Sequence, residues 1–337
     1  MADLQHAKSL ALDYVEALES ASGDQIAGAL ARSLTPDCQW RGVHPFNEAQ
    51  GPVAIAGVFW APLKQAMTHL RRHQDVFMAG ENDEDGSVWV MSMGYFAGLF
   101  DRDWLGIPAH RKLAMLRYTE FLQIRDGRIN SAVMFCDILD LMQQVGIQAL
   151  PPQTGAQLTV PGPSDHAGLL FAGQDPAQGA LTLELVNRMV EDLAALNRSG
   201  DDSCPPALLE RSWHPDMRWY GPAGIGSTYT IERYQEQHQR PFRQQMRDKV
   251  FNGHVCRFAE GNFACFFGWA NLSNTPAGGF LGLPGGMRAD MRVVDVYRRS
   301  GDRLLENWVL IDLLYWLKQQ GVDVLARTAG IMNPPRR

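Results

Sequence analysis

"DILDLMQQVGI" occupies residues 137–147 and "DLLYWLKQQGV" occupies residues 312–322. The two stretches lie 175 residues apart and share four identities in eleven positions, opening on Asp137 and Asp312 where a strand-like run gives way to a helix-like one. They have company. "PDCQW" (36–40) answers "PDMRW" (215–219) at an offset of 179, and "LGIP" (105–108) answers "LGLP" (281–284) at an offset of 176. Three matches in one order at a nearly constant offset mark a tandem duplication, the reading that precedes all others when a chain repeats itself. Between the copies runs "LPPQTGAQLTVPGPSDHAGLLFAGQDPAQG", with Pro151, Pro152, Pro161, Pro163 and Pro176 and no sustained period, as a connector has. The expected domains are 1–150 and 179–337, with a connector at 151–178.

Composition agrees with two folded domains. The chain has 337 residues, 45% hydrophobic and 20% charged, which is too long for one small core and ordinary for globular structure. The net charge of −6 is spread unevenly, with 12 Lys/Arg against 18 Asp/Glu in residues 1–150 and 19 against 17 in residues 179–337. Neither half is the basic surface that nucleic acid requires. The first residues, "MADLQHAKSLALDYVEAL", carry acids within an apolar period, and no run approaches a membrane span. A cytoplasmic location is expected. Cys38, Cys136, Cys204, Cys256 and Cys265 are scattered, without a CxxC pair, so reduced, mostly buried thiols are expected and no structural zinc site.

Each copy reads in the same coarse order. An amphipathic helix comes first, with Leu10, Tyr14 and Leu18 in one copy and Leu181, Leu185, Val186 and Met189 in the other. The "PD…W" strand follows, then a Gly/Pro loop, a second helix, three strand-like runs and a last strand ending in the short Asp-led helix. Helices followed by consecutive strands predict an α+β fold. The expected form is two cone-shaped domains, each a curved antiparallel sheet around its N-terminal helices, paired as an intramolecular pseudo-dimer that is open to further homo-oligomerisation. Trp219, Tyr220, Trp269, Tyr297 and Trp308 are candidates to line the cavity between sheet and helices, or simply to fill the core.

The second copy in particular resembles the polyketide cyclases of the SnoaL type, within the nuclear transport factor 2-like superfamily. The likeness rests on "HPDMRWYGP" (214–222), "GGFLGLPGG" (278–286) and "VYRRSGDRLLENWVLIDLLYWLKQQG" (296–321). It implies a cone-shaped α+β fold and cofactor-independent chemistry on a small apolar or aromatic carbonyl compound. It also implies that Asp312 stands where such cyclases carry an acid/base aspartate. The superfamily hosts isomerases, epoxide hydrolases and plain binding proteins as well, so fold alone does not choose among them.

A carboxyl group suits ring closure by aldol condensation, which removes a proton beside one carbonyl and delivers one to the oxygen of another. In an apolar pocket its pKa rises, and one group can then do both near neutrality. Glu306, Trp308 and Asp312 share parity along the last strand and are expected on one face, with His238 and Trp269 shaping the pocket. Asp290 and Arg292 could join Asp312 in a set that opens an epoxide. The bland reading is that Asp312 and Asp137 are helix N-caps, each with a terminating glycine at Gly321 and Gly146, and that the protein binds a small molecule without turnover. At an offset of 175, Glu306, Trp308 and Asp290 are replaced by Ser131, Val133 and Met115, which makes the first copy the degenerate one. Arg292 and Asp295 keep counterparts in Arg117 and Glu120, a repeat read as an outer, solvated face of the sheet. The histidines lack metal-ligand spacing, the glycine-rich loops lack a phosphate-loop context, and there is no GxSxG elbow. No metal, cofactor or nucleophilic serine is expected.

Overall fold

The computed structural model describes residues 3–332. By its contacts the chain divides into two compact units. One holds the chain up to Ala149, the connector piece His166–Gly173 and the chain from Val322 onward; the other holds Leu150–Asp165 and Gln174–Gly321.

The first unit contains α1 (Leu4–Ser20), α2 (Gln25–Ser33), β1 (Leu34–Gly42), β2 (Asn47–Gln50), α3 (Gly51–Ile55), α4 (Ala61–Ala66), β3 (Met67–Glu81), β4 (Val88–Phe100), β5 (Leu113–Arg125), β6 (Arg128–Cys136) and α5 (Ile138–Gln144). The second repeats this order with α6 (Pro176–Ser199), α7 (Pro206–Glu210), β7 (Trp213–Tyr220), β8 (Ser227–Tyr229), α8 (Thr230–Tyr234), α9 (Arg240–Gln245), β9 (Met246–Phe251), β10 (Cys256–Glu260), β11 (Phe263–Pro276), β12 (Ala289–Ser300), β13 (Arg303–Ile311) and α10 (Leu313–Gln319). A last helix, α11 (Val324–Met332), belongs to the first unit. There Ala329 packs so close to Gly106 that a side chain on that glycine, whose φ is +78°, would stand 2.9 Å from the alanine Cβ. All five cysteines are buried and outside any disulfide, and no helix among the described residues is long and apolar enough to cross a membrane.

The sheets run β2-β1-β6-β5-β4-β3 and β10-β11-β12-β13-β7-β8, with β9 also paired to β11. They are mixed, which corrects the expectation of purely antiparallel sheets. β1 lies parallel to β6 and β7 parallel to β13, while every other pair is antiparallel. The reason is topological: the strand that follows the opening helices is inserted beside the last strand of a meander, and only hairpin neighbours must be antiparallel. Registers agree between the copies. Trp40 stands opposite Ala132 as Trp219 stands opposite Asn307, and Glu120 opposite Met134 as Asp295 opposite Val309.

Each second helix is interrupted by a π-helical turn, Ala56–Trp60 in one unit and Gln235–Gln239 in the other. Pro62 and Pro241 follow at the second position of α4 and α9. A proline cannot donate to the carbonyl four residues back, and a wider turn accommodates the missing bond. The Gln237 carbonyl, four residues before Pro241, accepts a hydrogen bond from Thr154 Oγ1 at 2.5 Å, which ties the connector to the second unit.

Farther along, the connector is clamped by side chains of β13. Trp308 Nε1 donates to the Pro161 carbonyl at 2.8 Å. Glu306, fully buried, accepts from Ser164 N and Arg218 Nη1, each at 3.3 Å, and from Arg298 Nε. Arg298 in turn reaches Asp165 at 2.8 Å. The first copy has Ser131 and Val133 at these places and lacks the clamp. Removing one partner of a buried ion pair strands the other charge and costs roughly 3–5 kcal/mol. Glu306→Ala is therefore expected to lower stability by that amount in urea unfolding followed by tryptophan fluorescence; a loss below about 1 kcal/mol would show the clamp to be ornamental.

Candidate active site

Side-chain alternation along β12 and β13 decides what faces the interior of the second unit. Met291, Val293, Asp295 and Tyr297 on β12 and Asn307, Val309 and Ile311 on β13 point to one side, where they meet α6 across a cavity of about 210 Å³. Its walls are mostly aromatic and aliphatic. Trp219 and His238 stack at 4.1 Å between ring centroids on one side, and His254 and Phe266 stack at 3.8 Å on another. Leu193 of α6 and Leu209 of α7 complete the enclosure.

Asp295 is the one acid among the cavity's lining residues. Tyr297 OH donates to its Oδ1 at 3.0 Å and Asn307 Nδ2 to the same oxygen at 3.1 Å. Both of these bonds fall on Oδ1, and no Lys or Arg lines the cavity. Burial disfavours the charged form and pushes the pKa of Asp295 up to about 6, against the opposing pull of the Asn307 and Tyr297 bonds. Burial also lowers His238 to about 3, so its imidazole is neutral at physiological pH. Its Nδ1 is enclosed without a hydrogen-bond partner among the described residues. The site thus combines a carboxyl poised near neutrality, a neutral imidazole and an apolar enclosure.

The corresponding interior of the first unit is arranged differently. Glu120, the counterpart of Asp295, accepts from Tyr14 OH at 2.8 Å and from Arg72 Nη1 at 2.6 Å. The Arg72 guanidinium lies 4.8 Å from the centroid of Tyr118 and 5.0 Å from that of Phe96. At the position of Arg72, five residues into β3, β9 carries Phe251. The positions of His238, Asn307 and Tyr297 are taken by Phe59, Ala132 and Leu122 at offsets of 179, 175 and 175.

Of the residues singled out in the sequence, His238, Trp219 and Tyr297 line the cavity. Asp312, Asp290, Arg292, Glu306, Trp308, Tyr220 and Trp269 do not. Glu306, Trp308 and Asp312 do share parity, but it is the opposite parity from the cavity-facing set. Asp312 caps α10, accepting from Tyr315 N at 3.1 Å, and pairs with Arg292 Nη1 at 3.2 Å. Arg292 lies between the rings of Trp269 and Tyr315, at 4.2 and 3.6 Å from their centroids. Asp290 accepts from Ser273 Oγ at 2.5 Å, and Tyr220 stacks on Trp308 at 5.6 Å. Asp137 caps α5 through Asp140 N at 3.1 Å. Asp295 and Asn307, which the sequence reading did not place in the site, line the cavity. The repeated charge of Glu120 and Asp295 is not a solvated face: both are buried. A signal was present, since Asp295 shares parity with Val293 and Tyr297 while Arg292, three positions away, points oppositely.

No protein-family profile matches the sequence, and no curated protein matches it. Among solved structures, a candidate SnoaL-like polyketide cyclase from Jannaschia sp. CCS1 is 17% identical, covering 45% of this chain and 98% of its own, with a TM-score of 0.34. A candidate polyketide cyclase from Streptomyces antibioticus is 16% identical over 41% of this chain and 97% of its own, with a TM-score of 0.35. A nuclear transport factor 2-like protein from Burkholderia thailandensis E264 is 15% identical over 43% and 99%, with a TM-score of 0.32. Each of these structures covers less than half of this chain.

The raised pKa of Asp295 has a thermodynamic consequence. Between its ordinary value of 3.8 and about 6, the folded chain holds a proton that the unfolded chain has released. Stability is therefore present at low pH and lost as pH rises through about 6, by on the order of 3 kcal/mol. Asp295→Asn is expected to be more stable than the wild type at pH 7.5 by that order and to lose the advantage at pH 4. Equal pH slopes for the two proteins in urea unfolding would contradict the burial of an ionisable Asp295.

Proposed function

We propose that the second unit is a cofactor-independent acid/base catalyst of the cyclase or isomerase kind, acting on a small, largely apolar, carbonyl-bearing molecule, with Asp295 moving the proton. The observation that carries this reading is the division of labour within one carboxyl group. Both protein donors bind Oδ1, which fixes the group, while Oδ2 is left to the cavity with no cation to hold it ionised.

The chemistry follows from that arrangement. Ionised Asp295 takes the proton from a carbon next to a carbonyl through Oδ2, leaving an enolate. The enolate oxygen can be met by an N–H of the neutral His238, whose low pKa keeps it a hydrogen-bond donor without surrendering a full charge. In a cyclase the enolate carbon then attacks a second carbonyl of the same molecule, forming the ring bond, and the new alkoxide takes the proton back from Asp295. In an isomerase the proton returns to a different carbon. A cavity of about 150 Å³ already admits a benzene ring, so about 210 Å³ suits a substituted ring or a short bifunctional chain.

The role expected of Asp312 therefore passes to Asp295. Epoxide opening by Asp290, Arg292 and Asp312 is less well supported, because none of the three lines the cavity. The first unit is assigned a supporting role, since Arg72 occupies the neighbourhood of its acid.

Proton abstraction can be followed without knowing the natural substrate, as deuterium uptake beside the carbonyl of small cyclic and aromatic ketones in D₂O, read by proton NMR. Wild-type protein is expected to accelerate exchange with a rate that rises through about pH 6. Asp295→Asn should fold normally and lose 10²- to 10⁴-fold of that rate, while Asp312→Asn, which keeps a capping oxygen, should stay within a few-fold of wild type. Exchange that vanishes in Asp312→Asn and survives in Asp295→Asn would reverse the assignment.

A further inference from the structure

The two units hold their central acids in different company. In the first, Glu120 is matched by a cation from its own chain, and Arg72 sits within an aromatic surround of Phe96, Tyr118 and Trp60. In the second the acid is retained as Asp295, the cation's place on the strand is taken by Phe251, and the space stays open. Phe251 is opposite Leu272 as Arg72 is opposite Phe96, and Phe96 and Leu272 are themselves related by the 176-residue offset.

We propose that the cavity of the second unit is a receptor for a small, flat organic cation of the amidinium or guanidinium type, seated on Asp295 among the aromatic walls. This goes beyond the catalytic reading and does not depend on it. The cation would complete in the second unit the pair that Arg72 and Glu120 make in the first.

Three features support it. Asp295 lines the cavity and both donors bind its Oδ1, so a planar N–H donor at Oδ2 need not displace Tyr297 or Asn307. The stacked pairs Trp219/His238 and Phe266/His254, with Tyr234 and Phe251, line the cavity with aromatic rings, and aromatic rings attract desolvated cations. No protein cation competes from the lining. The titratable groups that face the site are Tyr234 beside the π turn, His238 within it, His254 ahead of β10 and Tyr297 on β12. Two arginines lie behind lining residues without lining the cavity themselves: Arg243 donates to Asn197 Oδ1 at 2.8 Å, and Arg257 lies against His254 at 3.3 Å. A buried carboxylate without a partner is costly, and a ligand that brings the opposite charge removes that cost.

The test uses the full chain, with benzamidine and its neutral isostere benzamide as probes in isothermal titration at pH 8. Benzamidine is expected to bind at one site per chain, at least tenfold more tightly than benzamide, and to weaken as pH falls through about 6 and Asp295 takes up a proton. Asp295→Asn should lower the benzamidine affinity tenfold or more and erase the preference. Phe251→Arg, which transplants the first unit's own cation, should abolish binding while circular dichroism shows the fold retained. Benzamide binding as well as benzamidine, benzamidine binding unchanged in Asp295→Asn, or no saturable benzamidine binding up to its solubility limit would each overturn the proposal. Loss of ketone exchange with benzamidine binding intact would instead count against the catalytic reading alone.

Discussion

A carboxyl group buried in the middle of the penultimate strand sets the character of each unit. A buried charge must be paired, or it must give up its charge by a shift of pKa. The first unit takes the former course: Arg72 enters from β3, pairs with Glu120 at 2.6 Å and is stacked among rings. The second takes the latter course. With phenylalanine at the arginine's position, burial raises the pKa of Asp295 against the pull of its two neutral donors, and a cavity of about 210 Å³ lies beside it. The exchange of Arg72 for Phe251 is one of several that separate the two interiors, with Phe59 for His238, Ala132 for Asn307 and Leu122 for Tyr297.

The opposite face of the second unit's sheet answers a different demand. Sheets with apolar residues on both faces need cover on both, and the connector supplies it. Glu306, Trp308 and Arg298 grip Pro161, Ser164 and Asp165, while His166–Gly173 turns to the first unit, where Leu170 N and Phe77 O bond at 2.9 Å and Lys8 Nζ reaches the Leu170 carbonyl at 2.5 Å. Arg292, Trp269, Tyr315 and Asp312 form a compact ion-pair and ring cluster at the start of α10. Glu306, Trp308, Arg292, Trp269 and Asp312 therefore stand apart from the cavity.

That contrast explains what could be read from the chain alone. The duplication was legible because caps and turns demand particular residues: Asp137 and Asp312 at the N-caps, and Gly146 and Gly321 at φ of 86° and 81° after the helices. Alternation told correctly which residues share a face. It could not tell which face is the inner one, because a one-residue shift in that assignment exchanges the two sets, and the more conspicuous set, Glu306, Trp308 and Asp312, proved to be the outer. Asp295 was obscured by Arg292 nearby, whose charge suggests solvent although the two point to opposite sides. The parallel seam between β7 and β13 was hidden as well, since hydrophobic pattern does not encode strand direction.

The proposed chemistry of the second unit depends on the ionisation of Asp295, and carbon-13 NMR titration of the aspartate side-chain carboxyls, with Asp295→Asn to identify the resonance, measures it directly. A midpoint near 6, the value burial imposes on Asp295, is the predicted result. A midpoint at or below the ordinary aspartate value of 3.8 would mean that water or a cation reaches the carboxylate freely, and would contradict the reading of this cavity as a site for acid/base chemistry.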